Sequence, residues 1–155
     1  MSEANKAVIR RVVEEVVNKH DLSVLSELYP DCVYRTPATG ELRGEAHRKF
    51  IASVLAAFPD CQETITDQVA EGDKVVTRWT FTGTHKGTFM DVPPTGKRIT
   101  ITGMCIDRIV NGKIVEEWEE WDALGMMHQL GAVPAAKAAA MVVPLSARPS
   151  EFPMA

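Results

Sequence analysis

Apolar pairs at Val8/Ile9, Val12/Val13 and Val16/Val17 recur at helical spacing, with Arg10, Arg11, Glu14, Glu15 and Asn18 on the far side. This pattern predicts an amphipathic helix over residues 4–19, and the period outweighs the lowered propensity of so many β-branched side chains. Asp21 supplies an N-cap for a short second helix that carries Leu22, Leu25 and Leu28 and stops at Pro30. Residues 32–36 read as a short strand closed by Pro37, and residues 40–44 as a loop. A third helix over 45–58 turns Phe50, Ile51, Val54, Leu55 and Phe58 inward before Pro59 ends it.

Beyond Pro59 the period falls to two. Extended segments at about 63–70, 74–86 and 97–110 are separated by Glu71-Gly72-Asp73 and by the loop GTFMDVPPTG. A last strand runs from Lys113 into Asp122, joined to its predecessor by Asn111-Gly112, the pair that best tolerates the two positive φ angles of a type I′ turn. Uninterrupted pairing from that turn sets Val110 opposite Lys113, Ile109 opposite Ile114, Cys105 opposite Trp118 and Ile101 opposite Asp122. Asp122 is then expected on the face that carries Ile114, Trp118, Ile101 and Cys105. A final helix ends at Gly131. Helices followed by a meander of long antiparallel strands predict an α+β domain over residues 1–134, its helices on one side of a curved sheet. Residues 135–155, rich in Ala and then broken by Pro144, Pro149 and Pro153, are expected to form an extra helix and a loosely held tail.

Composition narrows the function. A chain of 155 residues with 45% hydrophobic and 25% charged residues fits one soluble globular domain with a sizeable core. Its net charge of −4 offers no Lys/Arg stripe to neutralise phosphates, so nucleic acid is not an expected partner. Cys32, Cys61 and Cys105 are widely spaced and odd in number, which suits buried thiols in a reducing compartment. With Glu3, Lys6, Arg10 and Arg11 interrupting any apolar leader, the expected location is cytoplasmic, with no membrane partner. No HxxxH or HExxH spacing, GxGxxG, P-loop or GxSxG elbow occurs, so no metal, nucleotide cofactor or serine nucleophile is expected.

That leaves acid/base chemistry or binding. Asp122 either caps the helix that follows or exchanges a proton. Trp118 and Trp121 would exclude water from it, and Glu116, Glu117, Glu119 and Glu120 crowd it with like charge, both of which raise a carboxyl pKa. His85 closes the row Val75, Thr77, Trp79, Phe81, Gly83 and either pins its own loop or hydrogen-bonds a substrate oxygen. Trp118, Tyr34, Arg35, Trp79 and Cys105 are the candidate substrate-binding residues, with Arg35 placed to pair a substrate carboxylate. Arg108 is expected in a cross-strand ion pair, and His20, His47 and His128 at the surface or at helix ends.

The fragments AFPD (57–60), GTHKG (83–87), PPTGK (93–97), NGKIVEEW (111–118) and WDALGMMHQLGAVP (121–134) occur in an order and spacing that resembles the SnoaL-like polyketide cyclases, or ester cyclases, of the nuclear transport factor 2-like superfamily. The resemblance spans roughly residues 5–134. It implies a cone in which a bent sheet and three N-terminal helices enclose one deep pocket, commonly as a homodimer through the sheet. It also implies a cofactor-independent enzyme that closes a ring by intramolecular aldol reaction on a hydrophobic carbonyl compound. An aspartate on the last strand, matched here by Asp122, would serve as acid/base, with His85 assisting. The same cone hosts isomerases, dehydratases and epoxide hydrolases, and a pocket that merely holds a small apolar molecule is the non-enzymatic alternative.

Overall fold

The computed structural model describes residues 1–134; the extra helix and tail expected over 135–155 lie outside the described residues. Helix α1 (Ser2–Arg11) continues as a π-helical segment (Val12–Asn18), and a 3₁₀ turn (Leu22–Val24) capped by Asp21 leads into α2 (Leu25–Leu28). Strands β1 (Val33–Thr36) and β2 (Gly40–Arg43) precede α3 (Glu45–Ala57). Then come β3 (Gln62–Glu71), β4 (Lys74–Thr84), β5 (Arg98–Val110), β6 (Lys113–Trp121) and α4 (Ala123–Leu130). The six strands form one bent sheet in the order β2-β1-β6-β5-β4-β3, with the N-terminal helices across its concave face.

At β1 and β2 the sheet differs from the sequence-based expectation. Residues 40–43 form an edge strand rather than a loop, pairing Leu42 with Tyr34 and Gly40 with Thr36. It has no hydrophobic alternation to betray it, because Glu41 and Arg43 hold one another in an ion pair on an exposed edge, where charge also discourages further pairing. The sheet is also not wholly antiparallel: β1 runs parallel to β6, with Val33 beside Glu116 and Arg35 beside Trp118.

The hairpin turn forms as expected, with Asn111 at φ 51° and Gly112 at φ 73°. Val110 faces Lys113 and Ile109 faces Ile114. One step further the register slips. Arg108 faces Glu116, so Val115 is an extra residue on β6, a β-bulge that reverses the facing of everything beyond it. Cys105 therefore pairs with Glu119 and Gly103 with Trp121. Glu117 is only 8% exposed on the concave side while Trp118 is 36% exposed on the convex side. The same convex face leaves Met104, Ile106 and Val110 exposed.

The motifs at 57–60 and 83–87 form a single clasp. The Lys86 and Gly87 amides both donate to the Ala57 carbonyl at 2.9 and 3.1 Å, satisfying the C-terminal end of α3. Asp60 accepts from the Thr84 amide and hydroxyl at 2.7 and 2.6 Å. Phe58 is fully buried between them, and a Cβ at Gly83 would come within 3.0 Å of the Phe58 Cβ. Helix α3 is thereby fixed over the sheet, with Leu55 and Phe58 packed into the same core as Val16, Val75, Phe81 and Ile99. Among the described residues no helix is long and apolar enough to cross a membrane.

Candidate functional site

A cavity of about 150 Å³ opens between the helices and the concave face of the sheet. Val12, Val13 and Val16 from the π-helical segment and Phe50, Ile51 and Val54 from α3 make its apolar roof. Its floor is built by strand register. The inward row of β5 reads Ile99, Ile101, Gly103, Cys105, Asp107, Ile109, so two polar groups interrupt an otherwise apolar stripe. Cross-strand pairing then sets Thr77, Cys105 and Glu119 side by side, and next to them Val75, Asp107, Glu117 and Tyr34. Gly103 leaves room for the Trp79 indole, since a Cβ there would lie 2.1 Å from Trp79 Cζ2.

His47 and Glu63 also reach the cavity, from outside these rows. His47, on α3, is 2% exposed; its ring stacks on Tyr34 with centroids 4.5 Å apart and meets the Tyr29 edge at 5.1 Å. Glu63, on β3, has its backbone locked by the Asn18 side chain, which donates to Glu63 O at 3.0 Å and accepts from Glu63 N at 2.7 Å. Asn18 is the last residue of the π-helical segment, so that irregularity positions the Glu63 wall.

The electrostatics are one-signed. Glu63, Asp107, Glu117 and Glu119 line the cavity, and among the described residues no Lys or Arg does. Burial raises the pKa of each, and neighbouring carboxylates add to this for Glu63, Asp107 and Glu117. Glu63 reaches about 8. For Glu119 the rise is opposed by the Tyr34 hydroxyl, which donates to Oε2 at 2.5 Å, while Oε1 has no hydrogen-bond partner among the described residues. Burial, and then the Arg48 charge, lower His47 to about 4, so its imidazole is neutral. The Cys105 thiol, pushed well up by burial, donates to Asp107 Oδ2 at 3.1 Å. Glu117 Oε2 lies 3.8 Å from His47 Nε2, and neither that oxygen nor His47 Nδ1 makes a hydrogen bond among the described residues. Donor atoms of Cys105, Asp107 and Glu117, and of Cys32, His47 and Glu117, each lie within 4.8 Å of one another, close enough to hold a metal ion. Either set would require a buried thiol to lose its proton.

Of the seven catalytic and substrate-binding candidates named from the sequence, Tyr34, Trp79 and Cys105 line the cavity and four do not. The expectation that Asp122 shares a face with Cys105 is corrected by the Val115 bulge. Asp122 is exposed and caps α4, accepting from the Gly125 amide at 2.8 Å. Trp118 stands on the convex face beneath the Arg35 guanidinium, 5.2 Å from the ring, and Arg35 is engaged with Glu41 at 3.1 Å. His85 is buried against Phe58, with Nδ1 accepting from the Thr95 amide at 3.2 Å and its own amide donating to Lys97 O, so it ties down its loop. Arg108 makes its cross-strand ion pair, with Glu116 at 2.8 Å. His47, expected at the surface, is instead buried. Glu63 and Asp107 were not identified from sequence, and Glu117 and Glu119 only as charges crowding Asp122. The one legible signal was Asp107, a carboxylate in the inward phase of an apolar strand.

As a cap, Asp122 contributes about 1 kcal/mol. Asp122→Ala is expected to lower Tm by roughly 2–4 °C in calorimetry while leaving turnover within a few-fold. Unchanged Tm with a hundredfold loss of turnover would return the proton-transfer role to Asp122.

The family profile for SnoaL-like polyketide cyclases matches residues 7–130 of this chain. Among solved structures, AclR from Streptomyces galilaeus, named as a candidate hydroxylase, is 33% identical with a TM-score of 0.77, over 86% of this chain and 100% of that one. TsrD from Streptomyces laurentii is 31% identical at 0.75, over 84% and 97%. IdmH from Streptomyces antibioticus, named as a candidate polyketide cyclase, is 32% identical at 0.70, over 82% and 98%. No match is found among curated proteins.

Proposed function

We infer that this chain, which belongs to the SnoaL-like polyketide cyclase family, is a cofactor-independent acid/base enzyme acting on a hydrophobic carbonyl compound, with Glu119 as the proton-transfer group. The observation that carries this reading is the Glu119 carboxyl in an apolar cavity, one oxygen held by Tyr34 and the other unengaged. Removing a proton beside a carbonyl needs a base whose pKa lies near the working pH and a dry site that favours the enolate. Burial provides both.

In the reaction, the Glu119 carboxylate takes a proton from the carbon next to one carbonyl, and the enolate carbon attacks a second carbonyl of the same molecule. The new C–C bond leaves an alkoxide, which takes a proton from Glu63, a group still protonated at neutral pH with its pKa near 8. Proton return from Glu119 to Glu63 resets the site, and no electrons are gained or lost. Trp79 and the valines of the roof keep water from the enolate. The same reading has two copies pairing through the convex sheet face, where Met104, Ile106 and Trp118 stand exposed.

The test is solvent deuterium exchange into 2-tetralone followed by NMR. Saturable exchange faster than acetate buffer of equal carboxylate concentration supports the reading; exchange no faster than that buffer ends it.

A further inference from the structure

The cavity holds more acid than the proton transfer uses. With Glu119 and Glu63 assigned, Glu117 and Asp107 remain at the β1–β6 end, beside a neutral His47. Glu117 is 8% exposed and His47 2% exposed, and among the described residues neither Glu117 Oε2 nor His47 Nδ1 has a partner. Buried polar atoms are almost always satisfied in native proteins, so an unsatisfied carboxylate oxygen aimed into a cavity marks the place of a missing donor. Among the described residues no basic side chain lines the cavity to supply it. Tyr29 and Tyr34 pack against His47 at this end, and Phe50, Trp79 and Trp121 line the rest of the cavity. Carboxylates at one end and aromatic π-faces along the walls are the combination that stabilises a desolvated ammonium, by charge pairing and cation–π attraction together.

We propose that the substrate class of this cavity is an apolar amine, whose protonated nitrogen seats between Glu117 and Asp107 while its carbon skeleton lies against the aromatic walls. The proposal rests on the preceding reading only in taking this cavity as the substrate site; together they describe an amino ketone, with its carbonyl towards Glu119 and its nitrogen at the other end. An anionic ligand would raise the cost of ionising any of the four carboxyls, so this lining disfavours it. A bare metal ion fits less well, because the Cys105 thiol proton is already committed to Asp107 and the roof offers hydrocarbon rather than oxygen donors for the remaining coordination positions.

The experiment is calorimetric titration at pH 7 with three ligands of one skeleton: 2-naphthylmethylamine, 2-naphthylmethanol and 2-naphthoate. The amine is expected to bind at least tenfold tighter than the alcohol, and the carboxylate not measurably. Amine binding should release protons, seen as a dependence of the heat on buffer ionisation enthalpy, because a cation drives the cavity carboxyls to ionise. Glu117→Gln should remove most of the amine preference and leave alcohol affinity unchanged; Asp107→Asn serves if that variant does not fold. Equal binding of amine and alcohol, or an amine preference untouched by both variants, overturns the proposal. So does saturable Zn²⁺ binding that displaces the amine and is lost with Glu117→Gln, which would assign this end of the cavity to a metal. If no amine binds while 2-tetralone exchange proceeds, this proposal falls and the acid/base reading stands. If amines bind and no exchange occurs, the reverse holds.

Discussion

Glu119→Gln is expected to slow 2-tetralone exchange by roughly 10²–10⁴, the usual contribution of a positioned acid/base. The substitution preserves shape, and the glutamine carbonyl still accepts the Tyr34 hydroxyl in place of Oε2, so the fold and the cavity remain. What it removes is the lone pair that takes the proton. Tyr34→Phe should cost less, since it only releases the carboxyl from one hydrogen bond. With a diketone that closes a ring, the wild-type rate should also show a bell in pH. The rising limb is ionisation of Glu119, whose pKa burial raises; the falling limb near pH 8 is loss of the Glu63 proton. Glu63→Gln should abolish the falling limb. A Glu119→Gln enzyme within threefold of wild type, measured alongside an unchanged Tm, would remove Glu119 from the reaction.

Stability should fall as pH rises from about 5 to 8, with Glu117→Gln raising Tm by roughly 3–6 °C at pH 8 and hardly at all at pH 5. The sign follows from linkage. Glu63, Asp107, Glu117 and Glu119 all have folded-state pKa values above their unfolded ones, burial being the first cause in each case. Between the two values the native state binds more protons than the unfolded chain, so each unit of pH gained weakens folding. Below the unfolded values both states are protonated and the full contribution is present. Glutamine at 117 removes one charge that burial and its neighbours oppose, and its amide gives the cavity a donor. Calorimetric scans at half-unit intervals decide the matter: a wild-type Tm that climbs steadily from pH 5 to 8 would mean that these groups are ionised at little cost.

The helices, the long strands and the Asn111-Gly112 turn were legible because each is written in local periodicity or in turn chemistry. Strand β2 was not, since pairing with β1 rather than any alternation of its own defines it. Tyr34, Trp79 and Cys105 line the cavity on strands that keep one phase from end to end, whereas Arg35, named together with Tyr34, falls in the opposite phase. The acidic half of β6 could not be placed by phase. Its Glu116-Glu117-Trp118-Glu119-Glu120-Trp121 repeats every three residues, against a strand period of two, so either phase sends one tryptophan in and the other out. Hydrophobicity prefers neither phase. The choice between Asp122 and Glu119 as the cavity carboxyl therefore rested on a single residue, Val115, whose side chain gives no sign of the bulge it makes. His47 was hidden for a related reason: nothing in a helix pattern distinguishes a polar residue facing water from one facing a buried carboxyl.

Val115 also makes β6 a strand with two possible repertoires. Were Val115 taken into regular pairing instead of bulging, everything beyond it would slip by one, withdrawing Glu117, Glu119 and Trp121 from the cavity and presenting Glu116, Trp118 and Glu120 in their place. Deleting Val115 would do the opposite: Ile114 and Glu116 already face Ile109 and Arg108, so the ladder would close with the present inner set kept. Whether one residue bulges, more than the identity of any one side chain, thus decides which chemistry this strand presents.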